Sequence, residues 1–171
     1  MHRLVTLRHL TLVAVLLALQ YGLAFLFWPL KGWPDLLSLA ILDYAFFWSW
    51  QRVPVYALGI GLLRDFAGGH LFGIETLTLA FTGSLLSLGI QKLDRESASV
   101  RLGISFLFVI LTGFLSAALG VWLETGKGFQ GDLIAHVFLS TIYTTALAPG
   151  FFWLTDLWFR RTPVLKQYEL F

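Results

Sequence analysis

Residues 102–123 read LGISFLFVILTGFLSAALGVWL, and this stretch contains no charged side chain. A hydrocarbon core of about 30 Å needs roughly 20 apolar residues in a helix, so the stretch predicts a membrane-spanning helix. Residues 133–155 also lack Asp, Glu, Lys and Arg, and His136 is their one histidine. Two such stretches in a chain of 171 residues indicate that lipid, rather than water, surrounds it.

The composition of the whole chain supports the same interpretation. Hydrophobic residues make up 57% and charged residues 13%, and the mean hydropathy is +0.76. This leaves too little polar surface to cover a soluble globule, so a single integral membrane domain over 1–171 is predicted. With no cysteine, disulfides and thiolate metal sites are excluded. The net charge of +2 does not favour nucleic acid as a partner, and no cofactor is expected.

Six spanning segments are predicted, which makes the fold class an all-α polytopic membrane helix bundle. They lie at about 10–30, 34–50, 54–67, 71–90, 102–123 and 133–158. The first segment ends in Phe27, Trp28 and Pro29 rather than in a small-residue cleavage site. It is therefore interpreted as a retained helix and not as a signal peptide.

The positive charges predict the orientation of these segments. Nine Lys and Arg residues fall on one side of the predicted membrane and three on the other. The nine are Arg3, Arg8, Arg52, Lys92, Arg95, Arg101, Arg160, Arg161 and Lys166, and the three are Lys31, Arg64 and Lys127. By the positive-inside rule both termini are cytoplasmic. All seven tryptophans fall at predicted segment ends, where the indole ring prefers the interface.

Four charged residues are the candidates for charges at membrane depth: Asp43, Arg64, Asp65 and Glu75. Each costs roughly 2.5 to 3.5 kcal/mol at the bilayer centre on insertion scales. Adjacent side chains on a helix point about 100° apart, so Arg64 and Asp65 need separate partners, and Asp43 is a candidate for Arg64. Alternatively, Arg64 and Glu75 reach water at the interface. The short side chain of Asp65 does this poorly, which favours a structural or functional role.

Small residues surround Asp65 at four-residue spacing. Gly61, Asp65, Gly69 and Gly73 follow one another at this interval, with Gly68 beside them. Such spacing lets two helix backbones approach closely, and glycines also permit a sharp re-entry of the chain. Irregular backbone at membrane depth is tolerated only inside protein or along a cavity, so this is the candidate functional region. Plain helix packing is the alternative.

The later segments carry weaker signals of the same kind. In the fifth segment Gly113 pairs with Ala117, and Ser116 with Gly120, at four-residue spacing, and helix packing is expected there. In the sixth segment Pro149 and Gly150 predict a kink.

The sequence Pro34-Asp35-Leu36-Leu37, followed by Gly61-Leu62-Leu63-Arg64-Asp65 and then by Gly69 and Gly73, resembles the rod shape-determining MreD family of bacteria. The resemblance implies a non-enzymatic, multi-pass subunit of the cell-elongation machinery in the cytoplasmic membrane. Its partner would be a single-span MreC-type protein and, through it, MreB, RodA and a class B penicillin-binding protein. The family fold is similar to the substrate-binding subunits of energy-coupling-factor vitamin transporters.

Carried over by the resemblance, the motif positions are Pro34, Asp35, Gly61, Asp65, Gly69 and Gly73. Two positions depart from the family pattern. Arg64 stands where an apolar residue is usual, and Glu75 where a neutral or small residue often stands. A pair between Arg64 and Glu75 across the turn would compensate for both departures.

Two other function classes remain open. A solute-binding transporter subunit would share the fold, although an apolar lining with few hydroxyl or amide groups is expected here and argues against a polar ligand. An intramembrane enzyme is the third possibility. The chain lacks cysteine, a His-Glu-x-x-His motif and a Gly-x-Ser-x-Gly elbow, and Asp43 with Asp65 is a thin basis for an aspartyl dyad.

Overall fold

A computed structural model describes residues 2–27, 32–47, 50–68, 72–93, 97–125 and 131–159. Within these ranges the chain forms six α-helices and no strand, which confirms the all-helical class. The helices are α1 His2–Phe27, α2 Leu36–Phe47, α3 Val53–Ala67, α4 Ile74–Gly89, α5 Ala98–Gly120 and α6 Gly131–Phe159. A 3₁₀ turn, Trp50–Arg52, leads into α3, and a π-helical turn, Val121–Thr125, follows α5.

Each predicted segment coincides with one helix, but the lengths differ from the prediction. Helix α1 begins at His2 rather than near residue 10, because a helix can continue beyond its apolar part. Helix α2 begins only after Asp35, whose side chain occupies the N-cap position. Two helical stretches are long and apolar enough to cross a membrane, Ala98–Leu123 and Asp132–Trp158.

Helices α3 and α4 form a closely packed antiparallel hairpin. A Cβ atom at Gly61 would lie 2.6 Å from the Cα of Thr76, and one at Gly83 would lie 2.6 Å from the Cβ of Ala57. The predicted close approach is therefore confirmed at Gly61. Gly73 has a φ of 104° directly before α4, a left-handed conformation that glycine adopts without steric cost. Gly69 lies outside the described residues.

Helices α5 and α6 pack mainly through apolar contacts. A Cβ at Gly113 would lie 2.9 Å from Val137 Cγ1, so the packing role predicted for Gly113 is confirmed. The rings of Phe114 and Phe138 meet edge to face at 5.7 Å one residue further along each helix. The packing role predicted for Gly120 is wrong, because no atom lies within 4 Å of a Cβ there. Helix α6 continues through Pro149.

Apolar side chains occupy both the interior and the surface of the bundle. Helix α2 lies at the centre, and ten of its 12 residues are buried. On the outside, many large apolar side chains are exposed, among them Val55 at 74%, Phe66 at 76% and Trp122 at 77%. Asp43, Thr78 and other polar side chains are buried instead. So many large exposed apolar side chains are unusual for a protein in water, although the apolar interior is not.

Candidate functional site

Asp35 caps the N-terminus of α2. Its Oδ1 accepts the N–H of Ser38 at 3.1 Å, and its Oδ2 accepts the Ser38 hydroxyl at 2.6 Å. The N–H of Asp35 donates to Thr144 Oγ1 at 2.7 Å, and the N–H of Leu37 donates to Gln20 Oε1 at 3.1 Å. Side chains from α1 and α6 thus satisfy N–H groups at the start of α2 that have no partner within the helix.

Arg64, in the last turn of α3, connects the beginnings of α2 and α4. Its Nη1 donates to Asp35 Oδ2 at 2.8 Å. Its Nη2 lies 3.2 Å from Glu75 Oε2, a contact that lacks hydrogen-bond alignment and is an ion pair. The Arg64, Asp35 and Glu75 side chains are only 17%, 12% and 16% exposed. The predicted Arg64–Glu75 pair is confirmed.

Asp65 caps α4 from the neighbouring helix. Its Oδ1 accepts the N–H of Glu75 at 3.1 Å, and its Oδ2 accepts the N–H of Thr76 at 3.0 Å together with the Thr76 hydroxyl. The first intrahelical bond of α4 begins only at the N–H of Leu77. Because Gly73 offers no capping side chain, the carboxylate of Asp65 supplies these acceptors.

Helix α5 contributes Ser116 to the group of side chains around Arg64 and Glu75. The Ser116 hydroxyl donates to Glu75 Oε1, a polar contact between α5 and α4 that the packing interpretation of Ser116 did not anticipate. Asp35, Arg64, Asp65 and Glu75, with the groups that bond to them directly, are called the Arg64 network below. The Gln20 side chain of α1 accepts a hydrogen bond at the start of α2, so all six helices contribute a residue to this end of the bundle.

Helix dipoles offset part of the charge of the network. The network holds three carboxyl groups and one guanidinium in a largely buried place, and two of the three, Asp35 and Glu75, contact the guanidinium. The N-terminus of a helix carries about half a positive charge, and the beginnings of α2 and α4 both lie here. Asp35 and Asp65 bond to the N–H groups that carry this partial charge. The site is therefore stabilised by backbone as well as by Arg64.

Asp43 does not belong to this network. It lies eight residues after Asp35, which places it about 12 Å along the helix, and its carboxylate accepts the Thr155 hydroxyl at 2.8 Å. The prediction that Asp43 pairs with Arg64 is wrong, because Arg64 reaches only the beginning of α2. The same separation places Asp43 and Asp65 in different sites, so the aspartyl dyad considered from the sequence is not formed.

Buried hydroxyl groups line the interior, contrary to the apolar lining expected from the sequence. Thr82, Thr112 and Thr141 are at most 2% exposed. Each donates to a carbonyl four residues earlier in its own helix, at 2.7 to 2.8 Å. Such bonds satisfy the hydroxyl without a ligand. The Thr78 and Thr145 hydroxyls are buried without a hydrogen-bond partner among the described residues.

Several residues of the site escaped sequence reasoning. Ser38 carried a usable signal, since an Asp followed three residues later by a polar residue at the start of an apolar run is typical of a helix N-terminus. No local sequence signal pointed to Gln20, Ser116 or Thr144, because their partners lie in distant parts of the chain. Pro34 and Gly61 are both buried, as residues of a closely packed site should be.

Comparisons with known proteins found no similar protein. No protein-family model, no curated protein and no solved structure matches the chain. Within the described ranges no three His, Asp or Glu side chains come together to hold a metal ion. The resemblance to the MreD family therefore rests on the quoted motif and on the pattern of segments.

Proposed function

We propose that this protein is a non-enzymatic scaffold subunit of the bacterial cell-elongation machinery, of the MreD type. It crosses the cytoplasmic membrane six times with both termini inside. It binds a single-span MreC-type protein and through it communicates with MreB, RodA and a class B penicillin-binding protein. In this role it supports cell shape and lateral peptidoglycan synthesis.

The distribution of apolar surface supports the membrane part of the proposal. In the most apolar windows of α5 and α6, only 22% and 28% of the residues are buried within the protein. A core helix of a soluble protein would be mostly buried, whereas a helix facing lipid need not be. The large apolar side chains exposed on α3 and α4, including Leu58, Phe66, Leu77 and Phe81, extend this surface around the bundle.

The shorter helices are compatible with membrane spans when their ends are considered. Helices α2, α3 and α4 have 12, 15 and 16 residues. At 1.5 Å per residue they measure about 18, 22 and 24 Å, less than the hydrocarbon core of about 30 Å. Their ends would lie below the headgroups, where unpaired backbone groups are costly. Polar groups of the Arg64 network occupy one such end and satisfy the backbone there.

One observation carries the scaffold proposal: most motif residues of the family resemblance meet in a single closed network. Asp35, Gly61, Asp65 and Gly73 each position the beginning of α2 or α4, and Arg64 joins the two. Each carboxylate of the network has donors within the chain. Such a network stabilises a fixed arrangement of helices, which leaves the outer apolar surface for a partner helix.

The proposal is tested by co-expressing the chain with the MreC-type protein of the same source and purifying the complex in mild detergent. Mass spectrometry then identifies everything that remains bound. We expect a stoichiometric complex without a small solute. Asp65→Leu should reduce retention of the partner at least tenfold, because α4 loses its cap. Asp132→Leu, at an exposed position in the first turn of α6, is the matched control and should retain it.

Two results would contradict the proposal. Recovery of the chain alone with a tightly bound vitamin-like molecule would identify the solute-binding subunit of a transporter instead. An Asp65→Leu protein that folds and retains its partner at the wild-type ratio would show that the Arg64 network does not organise the binding surface.

A further inference from the structure

Two buried oxygen atoms on one face of α4 have no hydrogen-bond partner among the described residues. They are Glu75 Oε2, whose one polar contact is the ion pair with Arg64, and Thr78 Oγ1. Thr78 is fully buried and lies three residues after Glu75, so the two side chains are neighbours on the helix surface. Buried polar atoms almost always bond to protein or to ordered water. These two oxygens therefore need a partner that the described residues do not supply.

The hydroxyl of Thr78 differs from other buried threonine hydroxyls of the described chain. Thr82, Thr112 and Thr141 each donate to the carbonyl four residues earlier in their own helix, at 2.7 to 2.8 Å. Rotation about the Cα–Cβ bond would offer Thr78 the same bond to the carbonyl of Ile74. Its oxygen points elsewhere. The Thr78 hydroxyl is therefore positioned for a partner outside its own helix backbone.

Two polar contacts between α4 and α5 lie on either side of Thr78. One turn before it, the Ser116 hydroxyl donates to Glu75 Oε1. One turn after it, the hydroxyl oxygens of Thr82 and Thr112 lie 3.3 Å apart. Ser116 and Thr112 are themselves one turn apart on α5, so the surface between them faces Thr78. The space beside Thr78 is thus enclosed between two helices and bordered by hydroxyl groups and a carboxylate.

We propose that a water molecule binds between Glu75 and Thr78 and links the Arg64 network to the α4–α5 interface. The water donates to Glu75 Oε2 and shares a second hydrogen bond with the Thr78 hydroxyl, which can donate or accept. The Ser116 oxygen, beside Glu75, is a further acceptor. A buried water typically has about three polar partners, and these groups supply them. The site does not depend on the scaffold function proposed above.

The surroundings of the site favour water over other ligands. A metal cation would be repelled, because Arg64 Nη2 lies 3.2 Å from the same Glu75 oxygen. A larger molecule would separate the contacts of Ser116 with Glu75 and of Thr112 with Thr82, which lie one turn away on either side. A small neutral molecule that both donates and accepts hydrogen bonds satisfies both oxygens.

Bound water is detected by the nuclear Overhauser effect between water protons and the Thr78 methyl group. The measurement uses the full chain in mild detergent with ¹³C-labelled threonine methyl groups, and Thr78→Val assigns the signal. Thr141 is the internal control, because it is 1% exposed and its hydroxyl bonds to the Val137 carbonyl. We expect a cross-peak to water at Thr78 and none at Thr141. Absence of the cross-peak at Thr78 would overturn the proposal.

Stability provides an independent readout, because valine keeps the shape of threonine and replaces its hydroxyl with a methyl group. Thr78→Val should raise the unfolding equilibrium constant at least about tenfold, since the water and Glu75 Oε2 lose hydrogen bonds. Thr141→Val is the matched control and should change it less than about threefold, because a hydroxyl bonded to its own helix backbone adds little.

A neutral or stabilising effect of Thr78→Val would also overturn the proposal, since that is the result expected of a hydroxyl buried without any partner. If Thr78→Val does not fold, the wild-type spectrum decides the matter, with the threonine signals assigned from the sequential backbone resonances instead.

Discussion

The helices at the Arg64 network and the pair α5–α6 are stabilised in different ways. Helices α2, α3 and α4 have 12 to 16 residues, and polar side chains cap the beginnings of α2 and α4. Helices α5 and α6 have 23 and 29 residues and meet through glycine, valine and phenylalanine. The short helices depend on hydrogen bonds and charge at their ends, and the long ones depend on packing along their length.

Helix length relative to the membrane explains this difference. Every helix leaves its first N–H groups without intrahelical partners, and capping side chains or water satisfy them. In the proposed membrane setting, a helix that begins below the headgroups meets no water, so another part of the protein must supply the acceptors. Asp35 and Asp65 do so for α2 and α4. Helices long enough to reach both interfaces do not have this requirement.

The largest effect is expected from Arg64→Met, which removes the only guanidinium of the network. Asp35 and Glu75 would remain buried without their partner, at a cost of about 3 to 5 kcal/mol in the free energy of unfolding. Reversible unfolding in mixed micelles measures this change. Arg52→Met, at an exposed position before α3, is the matched control and should change stability by less than about 0.5 kcal/mol. Equal effects of the two substitutions would contradict the comparison.

A smaller but clear effect is expected from Gly61→Ala. The added Cβ would lie 2.6 Å from the Thr76 backbone, which cannot move aside without separating α3 from α4. We expect a loss of about 1 to 3 kcal/mol, measured as a lower melting temperature in detergent. Gly59→Ala is the control, because no atom lies within 4 Å of a Cβ at that position. It should be neutral or stabilising, since alanine favours the helix.

The smallest effect is expected from Gly113→Ala between the long helices. The added Cβ would approach Val137 Cγ1 at 2.9 Å, and a single side chain can change rotamer to make room. We expect a loss of no more than about 1 kcal/mol. Gly120→Ala, which meets no neighbour within 4 Å, should show no loss. If Gly113→Ala were more damaging than Gly61→Ala, the two helix pairs would not differ as described.

The sequence predicted the fold more completely than the site. Uncharged runs such as 102–123 identify helices directly, because length and hydropathy are local properties. The importance of Asp65 and the close approach at Gly61 were also predictable from local spacing. The partner of Arg64 could not be predicted in this way. Asp35 lies 29 residues away, and the pairing depends on how two helices are aligned. The partner that the sequence suggested, Asp43, lies about two helical turns further along α2 than the place that Arg64 reaches.

Amide hydrogen exchange at Glu75 and Thr76 tests most directly whether Asp65 of α3 holds the beginning of α4. These two N–H groups have no carbonyl partner in their own helix, so their protection depends on the Asp65 carboxylate. We predict slow exchange at both amides in the wild type. In Asp65→Ala both should exchange at least a hundredfold faster, while amides in the middle of α5 stay protected. Unchanged protection at Glu75 and Thr76 in a folded Asp65→Ala protein would contradict the account.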